Sequence, residues 1–227
     1  YGSRKLDKDI GLLLDYKSLK NNFGLNAYGV LHIGAHFGQE YSLYKEDGIK
    51  NLAFFEPLSK NFKELKKRVP EEKGVKFFNV ALGSKSQNVE MFVEAANQGQ
   101  SSSVLEPDLH LKQYPHITFD GKESVEMRTL DSFLEEKELE SSLYNLINMD
   151  VQGYELEVLR GAKKFLTSID FIITEVNRAS VYKGCALVEE LDAFLLNYGF
   201  YRAETSWEGI TWGDAFYIKA NKRGEER

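Results

Sequence analysis

The spacing of apolar residues changes period along the chain, and the changes mark its elements. From Leu6 to Phe23, apolar residues at Ile10, Leu13, Leu14, Tyr16 and Leu19 recur as in an amphipathic helix lying against a domain. Val30–Ala35 is a short apolar run closed by a glycine turn, which predicts a first strand. Tyr41–Glu46 predicts a helix, and Asn51–Glu56 a second buried strand. Ser59 is placed to cap a helix running to Val69. Lys76–Ala81 predicts a third strand, and Val89–Glu94 alternates like a half-exposed one. Residues 95–122 are polar, hold Ser101, Ser102, Ser103 and two prolines, and predict a long loop of the kind that is either functional or disordered. Beyond it come a strand at Val125–Leu130, a short helix capped by Asp131 and a buried strand at Leu143–Val151. A helix at Gly153–Leu166 is expected to set Leu156, Leu159, Ala162 and Phe165 on one face. Phe171–Val176 predicts a strand and Leu187–Leu196 a helix. Phe200–Trp207 and Ala215–Lys219 predict a closing antiparallel pair.

Near-continuous apolar strands alternating with helices predict an α/β chain, its parallel sheet covered on both faces. Ligands of such sheets bind beyond the C-terminal strand ends. The 227 residues, 42% apolar and 28% charged, fit one domain without disulfide or metal staples. We divide it into a helical extension at 1–24, a main domain at 25–220 and a polar tail at 221–227. A net charge of −6 argues against nucleic acid and anionic membrane as main partners. The basic stretch Lys60–Arg68 has helical spacing and reads as a solvated helix face. No apolar run approaches the ~20 residues of a membrane span. The lone Cys185 can form no internal bridge and suits a reducing, cytoplasmic setting.

The chemistry gathers at the predicted strand ends. After the first strand, Gly34 and Gly38 bracket a tight turn, with His32, Ala35, His36 and Glu40 around it. The G-x-x-x-G spacing lacks the third glycine of a dinucleotide fingerprint and suits a cofactor such as S-adenosylmethionine. Glu56, followed by Pro57, lies about twenty residues on, where a carboxylate can accept both ribose hydroxyls of an adenosine. Asn79, Val80 and Ala81 end the third strand, beside the expected adenine.

On the acceptor side, Asp150 ends a buried strand and is followed by Val151, Gln152, Gly153 and Tyr154. Glu175 and Asn177 share a strand face by alternation and are expected to converge with Asp150. Two uses compete. Asp150 is a general base for a hydroxyl, or the three side chains hold a hard divalent cation such as Mg²⁺. His32 reads as a core histidine, whereas His36 lies close enough to the cofactor to orient substrate or act as a base. His110 and His116 match no metal spacing. Trp207, Trp212 and Asp214 offer an aromatic platform with a carboxylate, suited to a sugar ring; packing in the last strand pair is the plainer alternative.

Together these residues resemble the FkbM family of S-adenosylmethionine-dependent methyltransferases, from about Val30 to Lys219. Ile33-Gly34-Ala35-His36-Phe37-Gly38, Glu56-Pro57, Asn79-x-Ala81-x-Gly83 and the Ser101–Ser103 run stand where that family has matching elements. Asp150-Val151-Gln152-Gly153-Tyr154-Glu155, continued by Val158-Leu159 and Gly161-Ala162, carries its most specific motif. His32 and His36 depart from the Asp and Asn common in the family. The resemblance implies a Rossmann-like class I methyltransferase fold, a mostly parallel seven-stranded sheet with an antiparallel C-terminal strand. It adds Ser102 and Val151 to the cofactor residues, and Gln152, Tyr154, Asn177, Trp212 and Asp214 to the substrate residues.

Leu31–His36, Thr174–Asn177, Val181–Cys185 and Trp212–Ala215 resemble a sub-group of sugar O-methyltransferases, some fused to glycosyltransferases in bacteria and large algal viruses. That implies methylation of a glycan hydroxyl, on a rhamnose-type deoxyhexose for instance, in the cytoplasm of the cell or of a virus's host. It also implies that a chain beginning without Met is a module of a larger enzyme. Another small hydroxylated metabolite, an NAD-type oxidoreductase and a non-catalytic binding module are the alternatives.

Overall fold

The computed structural model describes residues 11–94, 98–114 and 116–220, without the side chains of residues 110, 112 and 120. Residues 6–10 of the expected N-terminal helix and the tail at 221–227 lie outside the described residues. The elements in chain order are α1 (Tyr16–Phe23), β1 (Gly29–Ile33), α2 (Tyr41–Glu46), β2 (Asn51–Phe55), α3 (Ser59–Arg68), β3 (Val75–Phe78), β4 (Ala81–Leu82) and β5 (Gln87–Glu94). They continue with α4 (Leu109–Gln113), β6 (Phe119–Arg128), α5 (Leu130–Glu136), β7 (Leu146–Met149), α6 (Glu155–Arg160), β8 (Phe171–Asn177), α7 (Val188–Leu196), β9 (Phe200–Glu208) and β10 (Trp212–Lys219).

Seven strands form one sheet in the order β3-β2-β1-β7-β8-β10-β9. Its pairings are parallel except those of β10, which runs antiparallel to both β8 and β9. Alternation along each strand splits the core in two. Leu31, Ile33, Ala53, Phe55, Ile147 and Ile172 pack on one face with α5, α6 and α7. Val30, Leu52, Phe54, Leu146, Phe171 and Ile173 pack on the other with α1, α2 and α3. A sheet buried on both faces explains why its strands read as unbroken apolar runs. This is the mostly parallel α/β arrangement that the alternation predicts, with the antiparallel C-terminal strand of the Rossmann-like fold that the family resemblance implies. Three of the basic residues of α3 are solvated and paired: Lys67 and Arg68 with Glu64, Lys66 with Glu71.

Several boundaries differ from expectation. The apolar stretch 76–81 is not one strand. The Asn79 amide donates to the carbonyls of Glu56 and Pro57 (2.9 and 2.8 Å), and the chain turns there. Ala81–Leu82 then pairs with β6 in a separate sheet, ordered β4-β6-β5. Ser59 is the first helical residue of α3, not its cap. Thr129 rather than Asp131 caps α5, accepting from the backbone of Ser132. Asp131 instead accepts from the backbone N–H groups of Lys164 and Phe165 (2.8 and 3.0 Å). The helix expected from Gly153 to Leu166 begins at Glu155, because Gln152 and Gly153 have φ of 55° and 93°. It stops at Gly161, where a Cβ would lie 2.0 Å from the carbonyl oxygen of Gly83. Leu156, Leu159, Ala162 and Phe165 nonetheless share one core. Within 95–122, the described residues hold α4, the start of β6 and a bridge from Ser103 to Phe92.

Candidate active site

A cavity of about 460 Å³ opens at the C-terminal ends of β1, β2, β7 and β8. One side of it is built from backbone. The N–H groups of Gly34 and Ala35 both donate to the carbonyl of Phe55 at 3.0 Å, which folds the turn after β1 against the end of β2. Gly34 has φ 78°, and a Cβ there would meet the Asp150 carbonyl oxygen. Glu56 follows β2 and is buried. Its two oxygens accept from the backbone N–H groups of His36 and Leu58, each at 2.9 Å. Burial raises its carboxyl to about 8. Once ionised, each oxygen keeps a further lone pair for a ligand hydroxyl. Val80, Ala81, Leu82 and Met91 supply an apolar wall.

His36 sits at φ 47°, and both its ring nitrogens are engaged. The Gln39 amide lies 2.9 Å from Nδ1, and Nε2 lies 2.9 Å from the Gln98 carbonyl. A carbonyl can only accept, so Nε2 carries the proton and the Nδ1 lone pair takes the Gln39 donor. Burial lowers its proton affinity, and the ring is neutral, stacked on Phe37. A His36 held this way shapes the turn, and its one lone pair is already taken.

His32 belongs to a buried polar chain. The Asn148 amide donates to the Tyr44 hydroxyl at 2.6 Å, and that hydroxyl meets His32 Nδ1 at 3.2 Å. Burial lowers His32 to about 3, so its 3.7 Å approach to Glu40 is not an ion pair. Glu40 accepts from the backbone N–H of Gly11 at 3.1 Å, and Asp214 from that of Leu13 at 2.7 Å. The segment after residue 10 is thus tied across the cavity mouth, with Gly11 and Leu12 lining it.

The floor is acidic. Asp150 is open to the cavity but surrounded by protein on its other sides, and burial together with Glu40 raises its carboxyl. One oxygen each from Asp150, Glu155 and Glu175 lies within 4.8 Å of the others. Burial, then Asp150 and Glu155, raises Glu175 well above the carboxylate range. Sequence reasoning missed Glu155. The left-handed pair Gln152–Gly153 folds the chain back so that Glu155 Oε1 accepts from the N–H groups of Val151 and Gly153, both at 3.1 Å. Its place at the end of the Asp-x-x-Gly-x-Glu motif was the available signal.

Another wall of the cavity carries Trp212, Tyr114, His116, Ile117 and Val181. The Trp212 indole N–H donates to the Tyr114 hydroxyl at 3.1 Å, and Gln113 bonds Thr211. These contacts draw α4 onto the β9–β10 hairpin. Trp207 faces away from the cavity, against the core, beneath the Arg178 guanidinium at 3.6 Å. The side chain of His110 lies outside the described residues.

Of the candidate residues, His32, Gly34, Ala35, His36, Glu40, Glu56, Pro57, Val80, Ala81, Ser102, Asp150, Val151, Gln152, Tyr154, Glu175, Trp212 and Asp214 line the cavity. Gly38, Asn79 and Asn177 do not. Gly38 has φ 74° and packs its α-carbon against Leu65 and Val69. Asn79 clamps the backbone after Glu56. Asn177 is buried two residues past Glu175, a further ~6.6 Å along the strand. Its amide makes no hydrogen bond of good geometry, although it lies close enough to favour the Glu175 anion. Glu155 joins Asp150 and Glu175 in the trio of acidic oxygens, while Asn177 lies beside Glu175 outside the cavity lining.

Residues 32–201 match the family model described as the methyltransferase FkbM domain. Over 161 residues the chain is 32% identical to the 2-O-methyltransferase NoeI of Sinorhizobium fredii (strain NBRC 101917 / NGR234). That alignment takes in 68% of this chain and 65% of NoeI, so the chain spans about two thirds of its relative. Among solved structures, a candidate S-adenosylmethionine dependent methyltransferase from Listeria monocytogenes superposes with a TM-score of 0.50 at 12% identity. The match covers 89% of this chain and 97% of that one. At that identity the likeness concerns the fold.

Proposed function

The chain belongs to the FkbM family of methyltransferases, and from that premise we propose that it methylates a hydroxyl oxygen of a sugar residue, with S-adenosylmethionine as donor. The observation that carries the proposal is the cavity itself, where a glycine turn and a buried Glu56 face an open Asp150 across one continuous space. The resemblance to a 2-O-methyltransferase supports oxygen as the acceptor atom.

The residues present fit the donor. Gly34 leaves the turn bare of side chain, and Glu56 has free lone pairs for ribose hydroxyls. When bound, S-adenosylmethionine supplies an electrophilic methyl group on a cationic sulfur. Asp150 would take the proton of the attacking hydroxyl, and the donor, held by the glycine turn and Glu56, would give up its methyl group to that oxygen and leave as a neutral thioether. A carboxyl raised by burial is a better base than a free one. In-line displacement requires the acceptor to be held still, and Trp212 and Tyr114 offer a surface for the apolar face of a sugar ring. Five carboxylates and no Lys or Arg line the cavity among the described residues, which suits an uncharged ring. A neutral deoxyhexose in a glycan fits this lining, as does a smaller neutral polyol.

Mass spectrometry of neutral glycosides incubated with the donor tests the proposal: one added methyl group is expected. Asp150→Asn should lower turnover by about 10²–10⁴-fold while calorimetry finds S-adenosylhomocysteine bound as before. Full turnover in that variant would remove Asp150 from the mechanism.

A further inference from the structure

Gln152 stands two residues after Asp150 at φ 55°, a left-handed backbone conformation that a side chain disfavours. The surroundings hold it there. The Ser103 hydroxyl donates to its carbonyl at 2.7 Å. The buried Tyr182 hydroxyl lies 2.7 Å from its side-chain Oε1 and 3.0 Å from the Ser101 carbonyl, and its one hydrogen is shared between these two acceptors. Tyr182 comes so near because Gly153 has no Cβ; one would lie 2.8 Å from Cys185 and 3.2 Å from the Tyr182 ring.

These contacts aim the side-chain nitrogen at the acidic cluster. Gln152 Nε2 donates to Asp150 Oδ1 at 2.6 Å and to Glu175 Oε2 at 3.0 Å, so each of its hydrogens meets one carboxylate. Glu155, the third acid, already spends Oε1 on two backbone N–H groups. A hard divalent cation seeks about six converging oxygens. Here N–H hydrogens point into the space that such an ion would fill.

We propose that the Gln152 amide takes the place of a divalent cation at this cluster, holding Asp150 and Glu175 in register, so that methyl transfer proceeds without metal. Gln152 is a positioning residue, acting through Asp150. The metal-binding half of this inference stands by itself, and the kinetic half rests on the function proposed above.

The test uses Mn²⁺ as probe and the chain as purified after dialysis against a chelator. Electron paramagnetic resonance should find no Mn²⁺ bound by the wild type up to millimolar concentration. Gln152→Glu exchanges the two donors for a further carboxylate and should bind Mn²⁺, with a rise in Tm. In the methylation assay, wild-type turnover should be equal in chelator and in Mg²⁺. Gln152→Leu should lower kcat about 10–100-fold and leave the affinity for S-adenosylhomocysteine unchanged. Gln152→Glu should lose turnover in chelator and regain part of it with Mn²⁺.

Wild-type activity lost in chelator and restored by Mg²⁺ overturns the proposal, as does Mn²⁺ bound at this cluster in the wild type or a full kcat in Gln152→Leu. If Gln152→Glu does not fold, the wild-type arms still decide. A chain that methylates no hydroxyl at all refutes the proposed function and leaves the Mn²⁺ result readable.

Discussion

A Cβ on Gly34 would lie 1.8 Å from the carbonyl oxygen of Asp150. The turn assigned to the donor and the strand end assigned to the base therefore touch backbone to backbone. Neighbouring parallel strands produce this contact, since Ile33 of β1 sits opposite Met149 of β7. Their next residues meet where both chains leave the sheet.

Gly34→Ala should consequently be among the costliest single changes in the chain. It combines a clash with backbone with a φ of 78° that a side chain disfavours. We expect a loss of about 3 kcal/mol or more, read from urea denaturation, together with loss of S-adenosylhomocysteine binding. A variant as stable as wild type would mean that the turn is looser than described.

Glu56→Gln probes the same turn from the other side. Both Glu56 oxygens accept from backbone N–H groups. An amide keeps one acceptor and turns a donor toward the other N–H, at a cost of about 1–3 kcal/mol. Calorimetry should also show S-adenosylhomocysteine bound at least tenfold more weakly. Unchanged affinity would take Glu56 out of donor recognition.

Stability should fall as pH rises. Burial raises Glu56 to about 8, and Glu155 and Asp214 to about 7. All three groups bind protons more tightly folded than unfolded. Their contribution is full below the ordinary carboxylate range and is lost between about pH 4.5 and 8. The buried His32, lowered to about 3, works in the opposite sense below about pH 6.5, so scanning calorimetry from pH 6.5 to 9 should show Tm dropping, by about 2–4 °C for each kcal/mol lost in a chain this size. A Tm that climbs over that range would contradict the burial of these carboxyls.

Trp212→Ala removes the aromatic wall and the donor to Tyr114. Its KM for a glycoside should rise about tenfold, with kcat and S-adenosylhomocysteine affinity little changed. Loss of donor affinity instead would place Trp212 on the other side of the cavity.

Much of this architecture is written in local pattern. Largely apolar runs such as NLAFF and FIITEV, short and rich in β-branched and aromatic residues, read as strands buried on both faces, and they recur with helices between them. Gly34, Glu56 and Asp150 stood out for the same reason: each follows such a run, where a parallel sheet places its site. The motif through Glu155 was equally legible, and with it the family.

What the letters left open depends on distances between segments far apart in sequence. That Lys76–Ala81 divides between two sheets depends on the Asn79 amide finding the carbonyls of Glu56 and Pro57, more than twenty residues away. His36 looked free to act as a base until Gln98 and Gln39 took its ring nitrogens. Asn177 shares a face with Glu175, but the cavity ends before it; Glu155 returns to the cluster because two left-handed residues fold the chain back. Periodicity thus determined the sheet and the edge on which the site lies, because burying apolar side chains imposes a repeat that a sequence displays. Which polar atoms meet there was decided by the tertiary structure, because a hydrogen bond of 3 Å follows from where whole elements pack and leaves no period to read.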